Sequence, residues 1–327
     1  MSTDILLVTV PSTTGWRAAV AELAAGFERV GVRVRVAEAA RTPRVRTFGL
    51  TDYVEARAAR RAAQAALADG PVGAIVYCSM TAALLWPEPG AIWLDAVAAE
   101  NRPGRHGVWQ RVVERRRLGH ASLVLAMSHR ALQGAPWFDG PVVVVPTPVE
   151  GSGERSDERD VDAVAYGANP AKKRLDYVLE AWSRAQRDGE RLVVAGIDGL
   201  QAGTGVEVAG RMAPDQYRAL LRRARVFVAA PTREDYGIAP LEALADGCML
   251  VTTPSPGGYP ALDLARALDP RLVSDDLAPA LRAALDDPVA GYAERAAELL
   301  EPFSRAAVDR VLAHDVLPRL LPGWSAS

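Results

Sequence analysis

Apolar residues along this chain fall into short dense runs, separated by longer stretches in which they recur every three or four positions. The runs lie at 5–10, 32–36, 74–78, 91–95, 123–127 and 142–145 in the first half, and at 161–166, 191–195, 206–208, 226–229 and 249–252 in the second. Runs this short and this continuous predict strands buried on both faces. The intervening stretches predict helices; across 15–30, Val20, Leu23, Ala24 and Phe27 share one face at helical spacing. Strict alternation of the two patterns predicts α/β architecture with parallel sheets.

The alternation breaks once. From Pro146 to Asp160 periodicity gives way to Pro, Gly, Ser and charge, which predicts an interdomain linker. Two Rossmann-like, doubly wound domains follow, 1–150 and 151–304, with a helical tail at about 305–327 expected to cross back onto the first. A length of 327 residues fits two domains better than one core. Ligands of open parallel sheets bind beyond the carboxyl ends of the strands, so the chemistry is expected in a cleft between the domains.

Composition narrows the partners. The 38 basic and 40 acidic side chains leave a net charge of -2, so no global field recruits nucleic acid. No apolar run approaches the roughly 20 residues of a membrane span. Peripheral membrane contact stays open. The opening ten residues have no basic region before the apolar run and read as a buried strand, so a cytoplasmic protein is expected. Cys78 and Cys248 lack metal-like spacing and read as buried thiols. His106, His120, His129 and His314 lie in polar or helical surroundings and receive no catalytic role.

The densest chemistry lies in Val228-Ala-Ala-Pro-Thr-Arg-Glu-Asp-Tyr-Gly-Ile-Ala-Pro-Leu-Glu-Ala-Leu-Ala-Asp-Gly247. A strand ends in a polar loop, and a helix begins near Ala239-Pro240, since proline is tolerated in a first helical turn. Exposed amides around Tyr236, Gly237 and Ile238, with the helix dipole behind them, suit a diphosphate. Glu234 in the loop is placed to reach a transferring group, and Glu242 in the helix to grip a ribose diol. Lys172 and Lys173 are the only lysines in the chain; an ammonium facing a diphosphate explains why arginine has not replaced them.

This segment resembles the Glu-x7-Glu signature of retaining GT-B glycosyltransferases of family 4, with Glu234 and Glu242 at the matching spacing. Gly167-Ala-Asn-Pro-Ala-Lys-Lys-Arg-Leu-Asp-Tyr-Val-Leu-Glu-Ala181 resembles that family's first strand, phosphate loop and helix, and places Lys173 on its phosphate-binding lysine. Val206-Glu-Val-Ala-Gly-Arg-Met-Ala-Pro-Asp-Gln-Tyr-Arg-Ala-Leu220 is similar to the segment lining its nucleobase pocket, which brings in Gly210 and Arg211. The first half matches more loosely, through Pro11-Ser-Thr-Thr-Gly-Trp16 and Ser128. There the resemblance implies amides of Thr14 and Gly15 near the donor phosphates.

The resemblance therefore implies a GT-B fold and sugar transfer from a nucleotide diphosphate sugar, UDP- or GDP-linked, to a hydroxyl. The donor binds the carboxy-terminal domain, the acceptor mainly the amino-terminal one. Glu234, Lys173 and Asp95 are the implied catalytic residues; Asp95 stands near the position of the family's usual histidine. Ala168 replaces a usual arginine and Arg174 a usual glycine, so Lys172 or Arg174 is expected to compensate. The loop after Pro254-Ser-Pro-Gly-Gly-Tyr-Pro260 lacks the usual acidic residue. Asp160-Val-Asp162 matches a metal-binding DxD but ends a charged linker; solvated charge and metal independence are expected. No GxGxxG follows the first strand, so a nicotinamide cofactor is not expected, nor any tightly bound one. Compact loops point to a small-molecule or glycan acceptor, and Arg/Ala richness to natural-product or polysaccharide biosynthesis. Two rivals are a non-catalytic sugar-nucleotide-binding protein and a nucleotide-sugar epimerase.

Overall fold

The computed structural model describes residues 3–324 except 12, 44, 46, 155–158, 202 and 258. The chain divides into two compact units, Met1–Pro148 with Arg305–Ser327, and Val149–Ser304. Each is built on one parallel sheet.

In the amino-terminal unit the strands are β1 (Thr3–Thr9), β2 (Val34–Glu38), β3 (Val72–Tyr77), β4 (Ala91–Leu94), β5 (Val124–Ala126) and β6 (Val142–Val144), in the order β2-β1-β3-β4-β5-β6. Ile5, Leu6, Leu7 and Val8 are all 0% exposed, because a central parallel strand is covered on both faces. Burial of each such side chain contributes about 1.5–3 kcal/mol. The first helix, Thr14–Arg29, starts where the Thr13 hydroxyl accepts from the Trp16 amide and buries Val20, Leu23 and Phe27 against the sheet. The carboxy-terminal segment packs on that helix. Arg29 grips Asp309 with both Nε (2.7 Å) and Nη2 (2.9 Å), Arg305 pairs with Glu22, and Leu312 lies against Gly26, where a Cβ would come within 2.9 Å of it.

In the carboxy-terminal unit β7 (Val161–Tyr166), β8 (Leu192–Ala195), β9 (Val206–Gly210), β10 (Ala224–Ala229) and β11 (Met249–Thr252) run in the order β11-β10-β7-β8-β9. The order reverses between β7 and β10, so this pair forms the switch point at which loops diverge and leave a crevice. The segment read as a linker is not slack on the side of this unit. Asp246 accepts from the Ser152 amide and hydroxyl (2.8 and 2.9 Å), and Arg218 Nη2 donates to the Glu150 carbonyl (2.6 Å). Residues 155–158 of that segment lie outside the described ones.

Candidate functional site

The switch point of the second sheet gathers most of the residues singled out by sequence. After β7 the chain turns through Gly167 into the short helix Pro170–Lys173, whose first turn is fixed by the Asn169 side chain accepting from the Lys172 amide (3.1 Å). After β10 the loop folds back over it, and the Thr232 amide donates to the Lys172 carbonyl (2.9 Å). Two strand-end loops are thereby clamped together. Glu234 is buried, forms an ion pair with Lys173, and has Lys172 Nζ 3.9 Å from its other oxygen. The pair borders a small pocket lined also by Ala165, Val228, Ala229, Pro231 and Pro240.

Backbone geometry holds Glu234 as firmly as its charges do. Its amide donates to the Pro256 carbonyl (3.1 Å). Gly257, at φ +97°, runs so close that a Cβ there would lie 2.1 Å from the Glu234 carbonyl oxygen. Gly237, at φ +78°, caps the helix Ile238–Ala245, and a Cβ on it would meet the Glu234 Cγ and the Tyr259 ring, both at 3.1 Å. Tyr259 is in turn fixed by a 2.7 Å hydrogen bond with Thr252, and burial pushes its phenol up to about 12.

Glu242 projects from the first turns of that helix into a different setting. Burial pushes its carboxyl up to about 7. Arg218 opposes the shift, but its Nη1 is 3.7 Å from Glu242 while its Nε is 2.6 Å from the fully buried Asp246 carboxylate. The guanidinium is thus committed first to Asp246, whose own charge adds to the rise. Beside Glu242 the rings of Tyr166 and Tyr217 pack at 5.3 Å, and the buried Tyr217 hydroxyl has no hydrogen-bond partner among the described residues. Burial, and after it the Glu242 charge, hold both phenols above their usual range. At the end of β9, Gly210 (φ +69°) leads to Arg211, an exposed side chain paired with Asp198 (3.2 Å).

Asp95, Thr14 and Gly15 belong to the amino-terminal unit. Asp95 is half-buried directly after β4. It does not cap the next helix: Val97 holds that place, and the Ala98 amide goes to Glu114 (2.7 Å), a carboxyl that burial pushes up to about 7. Nearby Arg102 grips Asp52 through Nε (2.8 Å) and Nη2 (3.3 Å). Thr14 and Gly15 are exposed and form the first helical residues rather than a loop. Trp16 pins that helix start to the end of β3, its indole donating to the Cys78 carbonyl (3.0 Å). Ser12 of the same turn lies outside the described residues.

Residues 161–287 match the family model described as glycosyl transferases group 1. The carboxy-terminal unit belongs to that family. Known solved structures extend the likeness over the whole chain. A sucrose-phosphate synthase from Thermosynechococcus elongatus aligns with a TM-score of 0.73 at 15% identity, covering 94% of this chain and 96% of its own. WaaG, a glycosyltransferase involved in lipopolysaccharide biosynthesis, aligns with a TM-score of 0.69 at 14% identity, covering 96% of this chain and all of its own (100%). At such identities the likeness is one of fold, and the fold is GT-B. No curated protein sequence matches the chain.

Several expectations for this glycosyltransferase domain need correction. Glu234 is only 7% exposed, less than its place in a polar loop suggests. Tyr236 and Gly237 are buried rather than exposed, and the helix begins at Ile238. Of the two residues proposed to replace the missing arginine, Lys172 reaches Glu234, whereas the Arg174 guanidinium lies over the Tyr177 ring at 4.2 Å. Asp160 is exposed and Asp162 half-buried. They lie at the amino end of β7, opposite the switch point, and pair with Arg191, Arg223 and Arg225. Among the described residues no cluster of His, Cys, Asp and Glu suits a metal, and no helix is long and apolar enough to cross a membrane. Cys78 and Cys248 are buried free thiols, and His120, His129 and His314 are exposed. The side chain of His106 and residue Gly258 lie outside the described parts.

Sequence reading missed Tyr166, Tyr217, Arg218 and Gly257. The first was hidden as an ordinary strand residue. Tyr217 and Arg218 stood inside the quoted 206–220 segment, and a tyrosine next to an arginine on a helix that follows a base-lining strand was the available signal. Gly257 was visible only as half of a Gly-Gly pair.

Proposed function

We propose that this protein is a retaining glycosyltransferase that moves a sugar from a nucleotide diphosphate sugar to a hydroxyl of a small-molecule or glycan acceptor. One observation carries the reading: the only two lysines of the chain converge on a buried glutamate at the switch point of a glycosyl transferases group 1 domain. In the free protein Glu234 balances one of the two positive charges, so the cluster keeps a net charge of about +1 for an incoming anion. A diphosphate arriving at the start of the Ile238–Ala245 helix offers the ammonium groups a second anion, with the amides of that helix start and its dipole adding to the attraction.

Transfer breaks the bond between the anomeric carbon and the diphosphate oxygen, and forms one from the acceptor hydroxyl to the same face of that carbon. The hydroxyl proton passes to the departing diphosphate. Negative charge grows on the leaving group, where Lys173 and Lys172 stabilise it, and positive charge grows on the sugar, beside Glu234. Glu242 holds the ribose diol, with Tyr166 and Tyr217 beside it. Gly210 and Arg211 border the base, UDP or GDP being the donors proposed. Thr14 and Gly15 present helix-start amides to the phosphates, and Asp95 serves the sugar or acceptor hydroxyl. Since Asp160 and Asp162 are engaged by arginines, the reaction is proposed to need no metal.

A thermal-shift panel of UDP, GDP, TDP, ADP and their sugar conjugates tests the donor site. One nucleotide should stabilise the wild type by about 2.7 kcal/mol at a hundredfold excess over Kd and lose that effect in Lys173→Ala and Glu242→Ala. Silence from every nucleotide would sink the proposal. Stabilisation without turnover on any hydroxyl acceptor would favour a binding protein, and free altered nucleotide sugar an epimerase.

A further inference from the structure

The helix Val108–Leu118 is inside out for a helix facing water. It buries Gln110 (3% exposed) and Glu114 (2%) and turns Val108 (49%) and Val112 (65%) outward. A surface helix ordinarily does the reverse. Inward, the Gln110 amide nitrogen donates to Asp52, its Oε1 having no hydrogen-bond partner among the described residues, and Glu114 accepts from the Ala98 amide, but the outward valines serve no core.

They do not stand alone. Trp109 packs edge-to-face with Tyr53 at 6.1 Å, which joins this helix to the helix Phe48–Ala68 and to its exposed Leu50 and Tyr53. At the other end Arg115 lies over the half-exposed ring of Trp137 at 4.8 Å. Leu50, Tyr53, Val108, Val112 and Trp137 account for most of the large apolar side chains exposed among the described residues. Scattered exposure would be ordinary; aliphatic and aromatic side chains linked across two helices are not.

Charge identifies what the surface faces. The amino-terminal unit carries twenty basic against fourteen acidic residues, net +6, while the other carries eighteen against twenty-six, net -8. The excess is local. Residues 102–117 contain six arginines and one glutamate, and 41–61 six arginines against Asp52 and Glu55. Arg57, Arg105, Arg115 and Arg116 are exposed around the apolar centre, whereas Asp52 and Glu114 are buried and Glu55 is half-buried. Burial and the nearby Asp52 also hold the Glu55 carboxyl above its usual range. Apolar and aromatic residues ringed by arginine match the boundary layer of an anionic bilayer, where rings sit at headgroup depth and guanidinium groups meet lipid phosphates. Nucleic acid would use the arginines and gain nothing from Val108, Val112 and Leu50.

We propose that the surface formed by the helix Val108–Leu118 and the start of the helix Phe48–Ala68 docks the protein on an anionic lipid bilayer. The inference does not depend on the sugar-transfer reading, and its test uses no nucleotide. Co-sedimentation of the full chain is measured with phosphatidylcholine vesicles with and without phosphatidylglycerol. Binding is expected only with the anionic lipid and weakens as salt rises, since each arginine near the surface contributes roughly fivefold and is screened within a Debye length. The double variant Val108→Asp/Val112→Asp should weaken binding at least about tenfold and Arg115→Ala/Arg116→Ala about thirtyfold, against no change for Leu299→Asp in the other unit. Both valines are exposed, so the variants should melt as the wild type does. Three results would each overturn the proposal: no binding to phosphatidylglycerol vesicles at low salt, valine variants that bind like the wild type, or duplex DNA that competes fully with the vesicles. A dimer that Val112→Asp dissociates would overturn it too, because a second copy would then cover the valines.

Discussion

In the helix Phe48–Ala68 of the amino-terminal unit, the buried carboxylate of Asp52 is held by Arg102 through two nitrogens in a fixed planar fork. Behind β10 in the other unit, the buried carboxylate of Glu234 faces Lys172 and Lys173 instead. Both carboxylates stand near the carboxyl edge of a parallel sheet, and they differ in the kind of cation opposite. A guanidinium fork suits a permanent pair; an ammonium is a point charge on a flexible stem that can turn to a new anion. This chain uses arginine for every other basic position, and in the proposed sugar transfer the lysines are the charges that change partners. On that proposal, two sheets of like construction carry one pair that builds structure and one that acts.

The largest expected effect breaks the second pair. Lys173→Ala should lower kcat about 10²–10³-fold, equivalent to about 2.7–4 kcal/mol of lost leaving-group stabilisation, with a smaller loss of stability than Arg102→Ala because Lys172 remains 3.9 Å from the Glu234 carboxylate. Arg102→Ala should instead lower stability by about 2–3 kcal/mol, because it strands a buried carboxylate, and should leave the nucleotide-induced thermal shift intact. Single-turnover kinetics and urea titration on the two variants check the contrast. Equal losses of stability in both would remove the distinction between the pairs.

Gly257→Ala comes next. At this position a left-handed backbone and the Glu234 carbonyl at 2.1 Å both oppose a Cβ, so a loss of about 3 kcal/mol is expected, with Glu234 displaced. Gly31 in the amino-terminal unit has φ +90° but no atom closer than 4.0 Å, and alanine there should cost only about 1–2 kcal/mol. Urea midpoints at constant m-value measure the difference.

How much of this was legible in the sequence depends on the range of the interaction. The strands at 161–166 and 249–252 have the bounds that the apolar runs suggest, because a strand buried on both faces writes itself as a continuous run. The Glu234–Glu242 spacing was legible since both residues sit in one loop and helix. What stayed hidden arises between segments far apart in the chain. The Gly257 backbone meets Glu234, Tyr217 meets Tyr166, and Arg218 spans Glu150, Glu242 and Asp246; no local pattern encodes such meetings. The outward valines at 108 and 112 were hidden for the converse reason. Gln110 and Glu114 of that helix are inward, so periodicity alone assigns its faces wrongly.

Each unit also holds a carboxyl raised to about 7, and pH separates the two. Glu242 and Glu114 are both pushed from 4.5 up to about 7 in the folded chain, so between those values the folded state binds more protons than the unfolded one. Stability should therefore fall as pH rises from about 4.5 to 7, by about 2–3 kcal/mol for each group, and Glu242→Gln or Glu114→Gln should each remove one share. Nucleotide affinity should move oppositely for Glu242 alone, since a ribose diol donates to the ionised carboxylate: Kd should fall as pH rises through 7 in the wild type and stay flat in Glu242→Gln. Chemical denaturation and isothermal titration across that range supply both curves.

The smallest effect concerns Arg174, which stands in the left-handed region at φ 46°, ψ 50°, between the Lys173 helix and the next one. A side chain there costs about 1–2 kcal/mol relative to glycine. Arg174 recovers part of it by lying over the Tyr177 ring at 4.2 Å, a contact worth about 0.5–1 kcal/mol at an exposed site. Arg174→Ala keeps the backbone cost and loses the ring contact, whereas Arg174→Gly loses both. The glycine variant should therefore be the more stable of the two by about 1 kcal/mol and close to the wild type. Neither should change kcat by more than a few fold if the phosphate loop relies on Lys172 and Lys173. A large loss of turnover in Arg174→Gly with unchanged stability would make this guanidinium a phosphate ligand after all, and the contrast between arginine as structure and lysine as chemistry would no longer hold in the loop where it matters most.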